Sequence, residues 1–266
     1  MSLPPPLAEA VGSFAALPRI LVATDFDGAL APLVLDPDDS HPVEGGMESL
    51  TALADLPGTT VALVSGRALE PLRTLSGATD PLLLVGSHGA EDSRHPDGLA
   101  LDDGQRALLE TLTADLRAVA ERHPGTRIED KPAGRVLHTR GLDPEAGAAA
   151  LESARALGER HPSLVVTPGK EVLELAVAHV GKGTALVALA DELGVDAVFY
   201  AGDDLTDEQG FTALAEDPDR QRAGRRLTVR VGEGETSAQF RVPDEPALVE
   251  VFRAIEAARR EQRPAD

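Results

Sequence analysis

Short apolar runs that alternate with helix-patterned segments constrain this chain more than any other feature. RILVATDF (19–26), TVALVS (60–65) and PLLLVGSHG (81–89) are continuous apolar runs, separated by helical patterns near Glu44–Leu56 and Leu69–Leu75. Continuous rather than alternating hydrophobicity marks strands buried on both faces, so the pattern predicts a parallel sheet covered by helices. Ligands of such sheets sit at the carboxyl ends of the strands. The middle of the chain breaks the pattern. A helix over Asp103–Arg122, strands RIEDK and RVLHTR, an Ala-rich helix over Pro144–Arg160, and two short strands in SLVVTPGKEVLELAV read as a separate small α+β unit. Alternation then resumes: helix Lys182–Leu193, strand DAVFYAGDD, helix Asp207–Ala215, strand RLTVRV, and a last helix from Glu245 to about Arg260. The expectation is an α/β, Rossmann-like parallel-sheet core formed by 1–92 and 180–266, with a smaller α+β unit over 93–179 inserted into it. The opening MSLPPPLAEA reads as a loose arm, and no internal repeat is found.

At 266 residues the chain can bury one sizeable core or two modest ones. No apolar run is long enough to cross a bilayer and no leader pattern opens the sequence, so a cytoplasmic location is expected. The absence of cysteine leaves a metal only oxygen or imidazole ligands. A formal net charge of −20 argues against nucleic acid or a membrane surface as partner, because both need a basic footprint. An anionic small molecule must then be met by local positive groups. Of the 25 basic residues only Lys131, Lys170 and Lys182 are lysine; either the composition is simply skewed, or lysine is kept where a compact ammonium is wanted.

Four strand ends and helix starts carry the chemistry. The first apolar run ends in Asp25-Phe26-Asp27-Gly28, two carboxylates that suit either an Asx turn or a joint hold on a metal and a phosphate. Ser65-Gly66-Arg67 suits either a plain turn or a phosphate cradle of hydroxyl and backbone N–H groups. Lys182 opens a helix, where a cation opposes the helix dipole, so it is either solvent-facing or answered by an anion. Gly202-Asp203-Asp204-Leu205-Thr206-Asp207-Glu208 reads in part as an acidic helix start with Thr206 as N-cap. Two acidic clusters on one sheet edge repel unless a cation lies between them, and oxygen ligands suit Mg2+. His41, His95, His123, His161 and His179 lack metal-ligand spacing and read as surface or loop residues.

In this order the four signals resemble the motifs of the haloacid dehalogenase superfamily, and within it the trehalose-6-phosphate phosphatases, from about residue 20 onward. DFDGAL resembles DFDGTL; Ser65-Gly66-Arg67 and Gly86-Ser87-His88-Gly89 match the next landmarks. Glu129-Asp130-Lys131 and Leu137-His138-Thr139-Arg140 resemble the EDK and HYR segments. Gly169-Lys170 through Glu174 resembles GK-x-x-x-E, Lys182-Gly183 the KG pair, and GDDLTDEQGF the GDD-x-TDE-x-x-F motif. All three lysines fall on motif positions.

The resemblance implies hydrolysis of trehalose 6-phosphate, in trehalose biosynthesis, through an aspartyl-phosphate. Asp25 is then the nucleophile, Asp27 the acid and base, and Ser65 and Lys182 the groups that offset phosphoryl charge. Mg2+ is expected at Asp25, the backbone carbonyl of Asp27 and Asp203, with Asp204 or Asp207 acting directly or through water. The inserted unit becomes a cap whose Glu129, Lys131, Arg140, Lys170 and Glu174 contact the sugar, with Arg67 and His88 from the core. The resemblance also allows an association with a sugar-phosphate synthase. Three departures bear on the sugar: Ala29 for Thr, Thr139 for the Tyr of HYR, and Ala176 where Arg is common. They keep open other sugar phosphates (glucosyl- or mannosyl-glycerate phosphate, sucrose phosphate, a cyclitol glycoside phosphate). A silent regulatory domain that binds sugar phosphate and a phosphomutase are the remaining alternatives.

Overall fold

Strand β1, Ile20–Thr24, is buried along its whole length, as a strand covered on both faces must be. In the computed structural model, which describes residues 3–95, 101–178, 181–221 and 224–262, β1 lies at the centre of a seven-stranded sheet. The other strands are β2 (Thr59–Val64), β3 (Leu83–Gly86), β4 (Glu91–Asp92), β9 (Ala197–Gly202), β10 (Arg226–Val231) and β11 (Phe240–Val242), in the order β11-β10-β9-β1-β2-β3-β4. All pairings are parallel except β3 with β4. Thr24 is in register with Leu63 of β2 and Ala201 of β9. The segments that follow these three strands therefore begin side by side. Two further bonds hold that edge together: the Asp25 N–H donates to the Ala201 carbonyl (2.8 Å) and the Ser65 N–H to that of Val85 (2.9 Å).

Helices α2 (Gly46–Ala54), α3 (Leu69–Ser76), α6 (Lys182–Leu193), α7 (Leu205–Glu216) and α8 (Glu245–Glu261) flank this sheet. The amino terminus departs from expectation. Instead of a loose arm, Pro5–Ala15 forms helix α1, with proline in its first turn and Leu7, Val11 and Phe14 buried at helical spacing. Phe14, Phe199 of β9 and Phe252 of α8 then form an aromatic chain, with ring centroids 6.3 and 5.8 Å apart. The short edge strands β4 and β11 were also not anticipated. Helix α7 begins two residues earlier than expected because Asp204, not Thr206, is its N-cap, accepting from the N–H groups of Thr206 and Asp207.

The chain divides into two compact units, Met1–Pro96 with Gly181–Asp266, and Asp97–Val180. The second unit holds α4 (Asp103–Arg122), β5 (Arg127–Lys131), β6 (Gly134–His138), α5 (Pro144–Arg160), β7 (Val165–Gly169) and β8 (Val172–Ala176). Its antiparallel sheet runs β5-β6-β8-β7. Leu112, Leu116 and Val119 of α4 and Ala150, Ala154 and Leu157 of α5 pack with Leu137, Leu173 and Leu175 of the sheet. One sheet face is thereby covered, and alternation places Glu129, Lys131, His138 and Glu174 on the other. His179 and the expected boundary at 179–180 lie outside the described residues.

Candidate active site

After β1 the side chains alternate: Asp25 to the sheet's carboxyl edge, Phe26 into the core, Asp27 to the edge again. The Phe26 N–H donates to Asp25 Oδ1 at 2.7 Å. Asp27 is gripped from the next strand, accepting from Arg67 Nε (2.6 Å) and Nη2 (2.7 Å), while Ser40 Oγ donates to Oδ1 at 2.8 Å. The bidentate pair fixes the carboxylate plane. Gly28 has φ +75°, and a Cβ there would stand 2.2 Å from Asp203 Oδ2. Only glycine lets the two acidic loops come so close.

Lys182, at the first position of α6, is 1% exposed. Its Nζ lies 2.7 Å from Asp25 Oδ2 and donates to Asp207 Oδ1 at 2.8 Å. Burial pulls this ammonium down, but the charges of Asp25 and Asp207 outweigh that and hold it well above its ordinary value. Burial pushes the Asp25 carboxyl up, with Lys182 pulling the other way. Asp203 is pushed up to about 6 by burial, reinforced by Asp207 and Asp204. These carboxylates sit together against their own preference.

Asp25, Asp203 and Asp207 offer oxygens within 4.8 Å of one another, a cluster able to hold a metal ion. The residues fit that use unequally. Asp203 Oδ1 is buried without a hydrogen-bond partner among the described residues, which is costly unless a cation answers it. Asp207 is already filled: Oδ1 accepts from Lys182 and the Tyr200 hydroxyl, Oδ2 from the N–H groups of Asp203 (2.9 Å) and Asp204 (3.1 Å). Asp204 spends Oδ1 on the N-cap of α7. The Asp27 carboxylate is turned to Arg67 and Ser40.

These groups line a pocket of about 500 Å3 together with Ser65, Gly66, His88 and, at its rim, Leu33 and Val34. Ser65 Oγ accepts from the Arg67 N–H (3.1 Å). His88 has φ +56° and donates its N–H to the Ser65 carbonyl at 2.9 Å. Its ring stacks so closely on Gly66 that a Cβ there would come within 2.6 Å. A non-glycine residue held in the left-handed region marks a conformation fixed by its surroundings.

In the second unit, Lys131 Nζ donates to Glu174 Oε2 (2.9 Å) across β6, and His138 Nε2 is 2.8 Å from Glu129 Oε2. Lys170 lies in the exposed β7–β8 turn and Arg140 follows β6, 4.0 Å from Glu171. Thr139 is buried and bonds the Glu171 carbonyl, and Ala176 packs on Gly134. Ala29 is fully buried.

Of the expected core residues, the structure gathers Asp25, Asp27, Ser65, Arg67, His88, Lys182, Asp203 and Asp204 at one pocket, with Asp207 directly beneath. Three partners were not singled out from sequence. His138 had a signal, its place in the segment that resembles HYR, and it pairs across the strands with Arg127, two residues from Glu129. Ser40 and Tyr200 had none, since a serine in a polar loop and a tyrosine in an apolar strand are ordinary.

A parallel sheet with an acidic pair after its central strand, a buried lysine opening a later helix, and an inserted α+β unit define the class: the haloacid dehalogenase superfamily. Trehalose-phosphatase, as a family model, matches residues 23–246. The chain is 36% identical over 239 residues to the bifunctional trehalose-6-phosphate synthase/phosphatase of Thermoproteus tenax, spanning 87% of this chain and 31% of that protein. It is 29% identical to the trehalose-6-phosphate phosphatase of Escherichia coli (91% of this chain, 90% of that one). Among solved structures, an Aspergillus fumigatus trehalose-6-phosphate phosphatase superposes with TM-score 0.77 at 26% identity, covering 95% of this chain and 97% of the other. This chain belongs to the trehalose-phosphatase family. It spans about a third of the Thermoproteus relative and about half of the Mycolicibacterium paratuberculosis one. No helix among the described residues is long and apolar enough to cross a membrane.

Proposed function

We propose that this chain hydrolyses trehalose 6-phosphate to trehalose and inorganic phosphate, in a Mg2+-dependent reaction in the cytoplasm. The observation that carries the chemistry is the Asp25 carboxylate, buried beside the Lys182 ammonium at the wall of a pocket that also holds Asp27. An Asp25 oxygen attacks phosphorus as the bond from phosphorus to the sugar oxygen breaks. Asp27, which must turn from Arg67 and carry a proton to do so, gives that proton to the leaving oxygen, then takes one back from the water that attacks the aspartyl-phosphate and releases Asp25. Ser65 and Lys182 contact the phosphoryl oxygens, and such contacts carry most of the catalysis in these reactions. The Asp25 and Asp203 side chains and the Asp27 carbonyl would hold Mg2+, which would supply charge neutralisation on those oxygens. Asp207 instead anchors Lys182, because its four acceptor positions are taken.

The second unit is the proposed cap, boundaries 93–179, with Glu129, Lys131, Arg140, Lys170 and Glu174 as its sugar contacts, and Arg67 and His88 as the sugar contacts the core unit contributes. The Lys131–Glu174 ion pair and the His138–Glu129 contact on the second face of that sheet support that reading: polar side chains held in place on a strand surface suit the hydroxyls of a disaccharide. The bifunctional relative supports an association with a synthase, on the same chain or another.

Phosphate release from trehalose 6-phosphate tests the reading. Wild-type protein is expected to turn over, and Asp25→Asn to lose at least about a thousandfold while keeping its circular dichroism spectrum. Unchanged turnover by Asp25→Asn would remove Asp25 as nucleophile.

A further inference from the structure

Tyr200 is the only tyrosine in the 266 residues and is fully buried on β9. Its ring is fixed: Phe211 is tilted against it at 5.6 Å, and Gly210 approaches so closely that a Cβ there would stand 2.7 Å from a ring carbon. The surroundings are apolar, with Leu186, Leu189, Phe211 and Leu214 in the same cluster. Phenylalanine would fill this space at no cost of burying a hydroxyl. The hydroxyl is nonetheless there, and it donates to Asp207 Oδ1, the same oxygen that accepts from Lys182.

Lys182 carries three donors. One goes to Asp207 and one to Asp25, which leaves a third for the pocket. Around this single ammonium stand Asp25 at 2.7 Å, Asp207 at 2.8 Å and, farther off, Asp204 at 4.0 Å, so where it rests depends on how strongly each carboxylate draws it. A second donor on Asp207 Oδ1 takes part of that oxygen's negative density and fixes its direction. We propose that Tyr200 is a positioning residue for Lys182, acting through Asp207. Its hydroxyl competes for Oδ1 and so keeps the ammonium shared with Asp25 and the pocket rather than drawn wholly onto Asp207.

The proposal rests on the phosphatase reading, but its test has an arm that does not. Three lysines make lysine-selective 13C/15N labelling simple to assign: Lys131 and Lys170 lie in the second unit, and Lys182 alone is buried. In full-length Tyr200→Phe the Lys182 side-chain resonance is expected to move, and its ammonium protons to exchange faster. The signals of Lys131 and Lys170 stay where they are. Turnover should fall about 10- to 100-fold in kcat for both trehalose 6-phosphate and an aryl phosphate, with KM within about twofold, the loss typical of one hydrogen bond to a charged group. Unmoved Lys182 resonances, or a kcat within about twofold of wild type, would overturn the proposal. If Tyr200→Phe does not fold, 3-fluorotyrosine placed at the single tyrosine reports the same link: its 19F resonance must shift in Lys182→Met, and an unshifted resonance refutes the link. If wild-type protein hydrolyses neither substrate, the phosphatase reading fails while the resonance arms still decide the role of Tyr200.

Discussion

A lysine at the first position of a helix faces the positive end of the helix dipole, and burying it there would destabilise the fold without compensation. Lys182 is compensated twice, by Asp25 and Asp207. The sequence left its partner open, because Asp25 lies 157 residues away and Asp207 reads as a helix-start residue. The cost on the acidic side falls on Asp203. Its carboxyl, pushed up to about 6, holds its proton more tightly in the folded state than in the unfolded chain. The metal-free protein therefore loses stability from this group as pH rises from about 4 through 6, and the loss is complete above that window. Asp203→Asn removes it. Relative to wild type, metal-free Asp203→Asn should gain about 1–2 kcal/mol between pH 4 and pH 7, after discounting for the partial exposure of Asp203. Urea midpoints read across that range check this, and a wild-type-to-variant gap that does not change with pH contradicts it.

At the scale of elements, helices with a strong period and a cap were legible to the residue. Asp103–Arg122 has the Asp102–Gln105 capping box, and Pro144–Arg160 has Asp143 as cap and proline in its first turn. Helix α1 was not, because three consecutive prolines hide a periodic apolar face that begins only at Leu7. Strands β4 and β11, two and three residues long, carry too few side chains for any period to show. In the second unit, β5, β6 and β8 bring Lys131 to Glu174 and His138 to Glu129. If Glu174 binds sugar hydroxyls and never touches phosphorus, Glu174→Ala should lower kcat/KM for trehalose 6-phosphate about 10- to 100-fold. Hydrolysis of an aryl phosphate, which offers no hydroxyls to read, should be nearly unchanged. Lys182→Ala should damage both alike. Equal losses on both substrates for Glu174→Ala would show that the residue supports the fold and not the sugar.

For the whole molecule, a net charge of −20 makes an anionic substrate unwelcome except where positive charge answers it, and in the pocket Lys182 and Arg67 stand among Asp25, Asp27, Asp203 and Asp204. A divalent cation at Asp25 and Asp203 would tip that balance toward an anion. Removal of metal with EDTA should stop phosphate release, and Mg2+ should restore it and raise the thermal midpoint. Full activity in thoroughly stripped protein would contradict this. The four landmarks of the pocket were legible because each sits in a short contiguous motif at a strand end or helix start. The sugar is harder to read, since its proposed contacts are spread over β5, β8 and the segments after β6 and β7, and since Thr139 and Ala176 depart from the family pattern. The most direct measurement is therefore kcat/KM for phosphate release over a panel: trehalose 6-phosphate, sucrose 6-phosphate, glucosylglycerate phosphate and glucose 6-phosphate. Trehalose 6-phosphate should exceed every other member at least about tenfold. A higher kcat/KM for any other sugar phosphate, or no release from trehalose 6-phosphate, would contradict the account.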